Sequence, residues 1–320
     1  MKSDTFAVRL FTFLFPVPIL ILGACSPPPP DSSFIHLVGS GTPIQKPGPV
    51  TSSATCPSGQ QLIGGGFTAD VAPGSVAVTE NYPSSSNTWT VTAQAGQKTS
   101  GVLVAVAYCF TTPNVSLKLL TVTASTNTNP RTSSLPAQLE IVATGNAACP
   151  AGSVLMGGGY RSQGLDTDAA EAFNSYISAE GPSSNNTGQP VGWQTTLTYP
   201  NTVSPTATVF AICAGSYFAQ GKTVTANTSL AGTQTADVHC PPNTFTSGGG
   251  YSLQQTSPTP FPYTVYSSFS DTKAGVISVA PNHRLDVYDA SGWRSDLRAA
   301  NTPFTPWALS MSASCIPFPK

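Results

Sequence analysis

Side chains able to move protons are scarce in this chain. The histidines are His36, His239 and His283, and carboxylate pairs occur at Asp166 with Asp168 and at Asp286 with Asp289. A Ser-His-Asp relay can be assembled from any order of residues, but it needs an imidazole held between a serine and an acid. His36 falls in a spacer-like stretch and His239 adjoins Cys240. No Gly-x-Ser-x-Gly elbow or His-Glu-x-x-His occurs, and no two cysteines are close enough for a zinc knuckle. Glycosidase chemistry needs two acids across a cleft, and nothing in the spacing puts these aspartates there. The sequence therefore predicts no enzyme, no metal and no cofactor.

The densest group of functional side chains lies in residues 281–300. It holds His283, Arg284, Asp286, Asp289, Arg294, Asp296 and Arg298 around Tyr288 and Trp293. Mixed charges of both signs read as a solvated loop with local ion pairs or as a binding site. A ligand site, if there is one, is expected here. Calcium through Asp286, Asp289 and Asp296 matches no EF-hand spacing, and the adjacent arginines oppose it.

Stepping outward, one pattern occurs three times. Cys56-Pro57, Cys149-Pro150 and Cys240-Pro241 are each followed eight residues on by a glycine triplet and then an aromatic, at Gly64–Phe67, Gly157–Tyr160 and Gly248–Tyr251. Trp89, Trp193 and Trp293 precede closing cysteines at Cys109, Cys213 and Cys315 by 20, 20 and 22 residues, with Ala107, Ala211 and Ala313 two before each. The pairing that treats all copies alike is Cys56 with Cys109, Cys149 with Cys213 and Cys240 with Cys315. Cys25 is left over. The triplets lack the Gly-Lys-Ser/Thr of a phosphate loop, and are expected to let a facing strand or the Trp ring approach the backbone. The tryptophans could stack on sugars, but their equivalent positions suit a core role against disulfide and sheet.

Val-, Thr- and aromatic-rich runs such as Val102 to Cys109 and Thr206 to Cys213 predict strands, separated by Pro/Ser/Asn turn clusters. The expected fold is all-β: three tandem disulfide-closed antiparallel modules, closely packed with pseudo-threefold symmetry or standing as separate small sandwiches. Domain boundaries fall at 1–24 for a signal peptide, 25–49 for a lipidated cysteine and Pro-rich spacer, and 50–120, 121–222 and 223–320 for the three modules. The twin segments Thr121–Ala124 and Thr223–Ala226 either close one module or open the next.

Charged residues are only 8% of the 320, with net charge −1, so a nucleic-acid partner is not expected. Lys2 and Arg9, an apolar run from Leu10 to Leu22 and small residues before Cys25 form an export signal. Leu22-Gly23-Ala24-Cys25 resembles the lipobox of bacterial lipoproteins, which implies lipid attachment at Cys25 and a membrane-anchored, extracytoplasmic protein. In having three sheet-forming repeats with a recurring Trp, the chain is similar to β-prism lectins, although no lectin sugar signature is present. The Cys-Pro, triplet, Trp, Cys module itself resembles one found in secreted bacterial proteins, a likeness that implies no activity. The expected function is a non-catalytic binding or envelope-structural lipoprotein with polysaccharide or envelope protein as partner. The alternative is a secreted hydrolase acting on envelope polymers.

Overall fold

The structure, a computed structural model, describes residues 35–71, 75–97, 99–111, 119–128, 140–165, 176–200, 204–215, 218, 221–230, 234–255, 263–271, 284–287, 292–299 and 307–317. Cys25 and residues 1–24, read above as an export signal, lie outside them, as do Asp166 and Asp168. Every regular element among the described residues is a strand.

Residues 35–110 form β1 (Ile35–Ile44), β2 (Gly48–Thr55), β3 (Gln61–Val71), β4 (Val76–Pro83), β5 (Thr88–Ala95) and β6 (Gly101–Phe110). Residues 119–214 form β7 (Leu119–Ser125), β8 (Asn127–Thr128), β9 (Glu140–Ala148), β10 (Val154–Gln163), β11 (Tyr176–Ser184), β12 (Pro190–Pro200) and β13 (Thr206–Ala214). Residues 222–317 form β14 (Lys222–Leu230), β15 (Gln234–His239), β16 (Thr244–Gln255), β17 (Tyr263–Asp271), β18 (Arg284–Val287), β19 (Gly292–Ala299) and β20 (Trp307–Pro317).

These strands build three antiparallel sheets, and each sheet takes strands from two of the three segments. Sheet I runs β15-β19-β17-β3-β6-β1-β18, sheet II β2-β5-β4-β10-β13-β7, and sheet III β14-β20-β16-β11-β12-β9-β8. The seams between segments are short. Across them Phe67 faces Ser268, Tyr160 faces Asn81 and Tyr251 faces Glu180. The exchange is cyclic: the first segment lends strands to sheets I and II, the second to II and III, the third to III and I.

Residues 35–49 do not behave as spacer. Along β1, Ile35, Leu37, Val38 and Ile44 are buried, and the strand pairs with β6 over its whole length. Burying those apolar side chains outweighs the turn-forming pull of the nearby glycines and prolines. The twin segments open rather than close: Thr121–Ala124 lies in β7, which pairs with β13, and Thr223–Ala226 lies in β14, which pairs with β20. The first segment thus begins at Ile35 rather than at residue 50, while β7 and β14 begin at Leu119 and Lys222, beside residues 121 and 223.

All three disulfides join the expected cysteines, Cys56–Cys109, Cys149–Cys213 and Cys240–Cys315, with Cα separations of 5.5, 5.7 and 5.5 Å. Each ties the loop before a glycine strand to the end of the closing strand. Trp89, Trp193 and Trp293 are at most 1% exposed, so none offers a free ring face to a sugar.

The glycine triplets divide their work by position. A register shift precedes each triplet, between Leu62 and Gly64, Leu155 and Gly157, and Thr246 and Gly248. The first glycines then meet in the middle: a side chain on Gly64 would strike Ser247 O, one on Gly157 would strike Ile63 O, and one on Gly248 would approach Gly157 Cα at 2.9 Å. The second glycines, Gly65, Gly158 and Gly249, lie under the indoles of Trp89, Trp193 and Trp293. At the third position Gly159 and Gly250 press on the backbones of Asn81 and Glu180, which are the seams. Close approach by both a strand and a Trp ring is what the triplets provide.

Candidate functional site

The charged group of residues 281–300 is not gathered at one place in the sheet order. Arg284 and Asp286 lie on β18, in register with Ser40 and Val38 of β1. Arg294 and Asp296 lie on β19 opposite Asp237 and Thr235 of β15, and Arg298 is opposite Thr264 of β17. β18 is at one edge of sheet I and β19 is next to the other, with four strands between them. Trp293 is in the core, edge-on to Tyr108 at 5.7 Å. His283, Tyr288 and Asp289 lie outside the described residues.

His36 is buried on β1 opposite Cys109. His239 Nε2 is 2.7 Å from Asp237 Oδ2, both side chains about half exposed; two residues apart on one strand, they share a face. Among the described residues no group of three His, Cys, Asp or Glu side chains could hold a metal ion.

A polar network occupies the interior beside the seams. Trp89 Nε1 donates to Asn81 Oδ1 at 2.7 Å, and Asn81 Nδ2 donates to the Glu180 carboxylate at 3.3 and 3.4 Å. Asn81 and Glu180 are 2% and 3% exposed. The Tyr160 hydroxyl donates to Val78 O at 3.3 Å and that of Tyr251 to Ile177 O at 3.4 Å. Burial first, then the charges around them, Glu180 in both cases, hold these phenols well above their usual range. They stay protonated and act as donors. All five residues are buried, and the network specifies the packing of the seams.

Among the described residues, an aromatic and charged group lies on the outer face of sheet II where β4, β10 and β13 lie side by side. Tyr82 on β4 and Phe210 on β13 are separated by β10, so their backbones are about 10 Å apart at two strand spacings. Their rings nevertheless come to 5.2 Å between centroids, tilted by 30°. They can lean together because Gly159, opposite Phe210 and against the Tyr82 backbone, carries no side chain. One residue pair along, Arg161 on β10 faces Glu80 on β4. Arg161 Nε donates to Glu80 Oε1 at 3.0 Å, and the guanidinium sits 5.8 Å from the Tyr82 ring centroid. Glu80 Oε2 accepts from the Thr92 hydroxyl at 2.7 Å.

The face continues into a ladder of hydroxyls between β2 and β5: Thr51 with Thr92 at 3.1 Å, Ser53 with Thr90 at 2.9 Å and Thr55 with Thr88 at 3.1 Å. On sheet III the corresponding ring positions hold Gly181 and Ser312, which touch each other. That sheet has a hydroxyl pair, Thr144 with Thr196 at 3.3 Å, but no aromatic pair there.

A cavity of about 470 Å³ lies beside the Cys149–Cys213 bridge, lined by the Pro150–Ser153 turn, the hairpin at Asn185–Gln189 and Phe218. Its polar rim is largely engaged internally, since Asn185 Oδ1 accepts from Thr187 and Gln189.

No family model matches the sequence, and no curated protein matches it. The residues of the sheet II face are absent from the sequence expectation because Tyr82 and Glu80 belong to the first segment and Arg161 and Phe210 to the second. Only the exchange of strands makes them neighbours.

Proposed function

We propose that the protein is a non-catalytic, extracytoplasmic carbohydrate-binding lipoprotein of the bacterial envelope, anchored through Cys25, with the outer face of sheet II as its contact surface. The observation that carries this reading is the partly exposed Tyr82–Phe210 pair set in a hydrogen-bonded sheet and bordered by hydroxyls and one ion pair. An aromatic face accepts the C–H side of a pyranose, and flanking hydroxyls and charges bond its rim. Three intramolecular disulfides fit an oxidising compartment, and the lipobox-like Leu22–Cys25 supplies the anchor. The seven cysteines are then fully used.

A panel of soluble and insoluble polysaccharides tests the reading. Wild-type protein is expected to bind at least one glycan class, and Tyr82→Ala with Phe210→Ala is expected to weaken that binding by at least tenfold while the three disulfides and the thermal transition persist. Turnover of a polymer would point instead to the hydrolase alternative. The anchor is tested separately: Cys25→Ala is expected to move the protein from the membrane fraction to the soluble one without loss of fold, since Cys25 lies outside the β unit. Unchanged membrane association of that variant would rule the anchor out.

A further inference from the structure

We infer that the glycan this face selects is acidic, a polysaccharide containing uronic acid, and that Arg161 reads its carboxylate. This inference rests on the carbohydrate-binding reading and deepens it. Glu80 is fully engaged from within the protein: Oε1 takes Arg161 Nε and Oε2 takes the Thr92 hydroxyl. The carboxylate therefore serves to hold the arginine. Because only Nε is used, the two terminal nitrogens of Arg161 have no acceptor among the described residues, and the side chain is 49% exposed.

An arginine tethered at Nε and lying over an aromatic ring has lost much of its rotational freedom before any ligand arrives, so less entropy is lost when its fork closes on a carboxylate. The terminal N–H pair matches the two oxygens of a carboxylate in a planar, bidentate contact. A uronic acid presents such a carboxylate at the edge of a ring whose face can rest on Phe210. Thr208, next to Arg161 across β10 and β13, and the hydroxyl ladder beyond Glu80 supply partners for ring hydroxyls. The two charges at the centre of this face balance each other, so an anion is selected by the outward N–H fork of Arg161 rather than by net charge, while Glu80 is bonded on both oxygens from within.

The test compares oligogalacturonate with the same oligomer after its carboxyl groups are reduced to alcohols, by calorimetric titration of the full chain at low salt. Wild-type protein is expected to bind the acidic oligomer at least tenfold more tightly, with affinity falling as salt rises. Arg161→Gln is expected to bring that ratio close to one. Arg161→Lys keeps the charge but not the fork, and is expected to retain only part of the preference. Equal wild-type affinity for both oligomers, or a preference untouched by Arg161→Gln, overturns the uronate assignment and leaves the carbohydrate reading standing. Tighter binding of a polyphosphate-sugar polymer than of oligogalacturonate overturns it as well, by making phosphate the recognised anion. Failure of wild-type protein to bind any glycan sinks the carbohydrate reading itself.

Discussion

A chain ending at Gln220 is expected to lose cooperative unfolding altogether, even with Cys56–Cys109 and Cys149–Cys213 intact. Without the third segment, sheet I keeps only β3, β6 and β1, and sheet III keeps only β11, β12, β9 and β8. Tyr108 loses Trp293 from its ring edge and Phe110 loses Phe245, stacked at 6.0 Å. Trp193 loses the Gly248 backbone that covers it, and Phe67 loses its strand partner Ser268. These four large side chains lose part of their cover, each from a burial contribution of about 1.5–3 kcal/mol, and with the lost strand pairings of sheets I and III the deficit is a large share of a domain's stability of about 5–15 kcal/mol. An open array of repeats would behave otherwise, because each unit there contacts only its neighbours and survives loss of the last one. Far-UV circular dichroism on heating, with calorimetry, distinguishes the two. A single sharp transition at the full-length Tm would mean that the segments fold independently and that their shared sheets contribute little.

How much of this could be read beforehand depends on whether a feature leaves a mark within one segment. The disulfide pairing did, because Cys56 and Cys109 recur with their Pro, Gly and Ala neighbours at fixed offsets twice more. The burial of the tryptophans did for the same reason. Strand β1 did not: Ile35–Ile44 has no cysteine or triplet, and its glycines and prolines resemble a spacer until the pairing with β6 is seen. The exchange of strands between segments left a single trace, the third glycine of the second and third triplets, whose partner strand the sequence does not name. Disulfides closed within segments also gave no sign of shared sheets, since the bridges tie loops to closing strands while the seams run elsewhere. Arg161 and Glu80 are 81 residues apart. Their pairing, and with it the proposed contact face, follows only from a seam. The charged run at 281–300 was conspicuous in one dimension, but the fold divides it between β18 and β19.

Gly157→Ala is expected to be among the most damaging single substitutions in the protein, costing about 3 kcal/mol, the upper end for overpacking a close-packed interior. The conformation is not the obstacle, because Gly157 is not among the glycines with positive φ. Space is. Its added methyl would lie 2.6 Å from Ile63 O and 2.8 Å from Gly64 Cα, and Ser247 O would be 3.3 Å away. All three are backbone atoms, which cannot rotate aside as a long side chain would. Moving one of them also disturbs the others, since Gly64, Gly157 and Gly248 touch in the middle of the three segments. Gly215→Ala provides the control. A Cβ there meets nothing within 4 Å, and fewer unfolded conformations should leave stability unchanged or raised by about 0.4–1 kcal/mol. At roughly 2 °C per kcal/mol for a body of this size, thermal unfolding should place Gly157→Ala about 6 °C below wild type and Gly215→Ala at or slightly above it. Equal Tm values for the two variants would show that the glycine strands are not packed against one another as this structure has them.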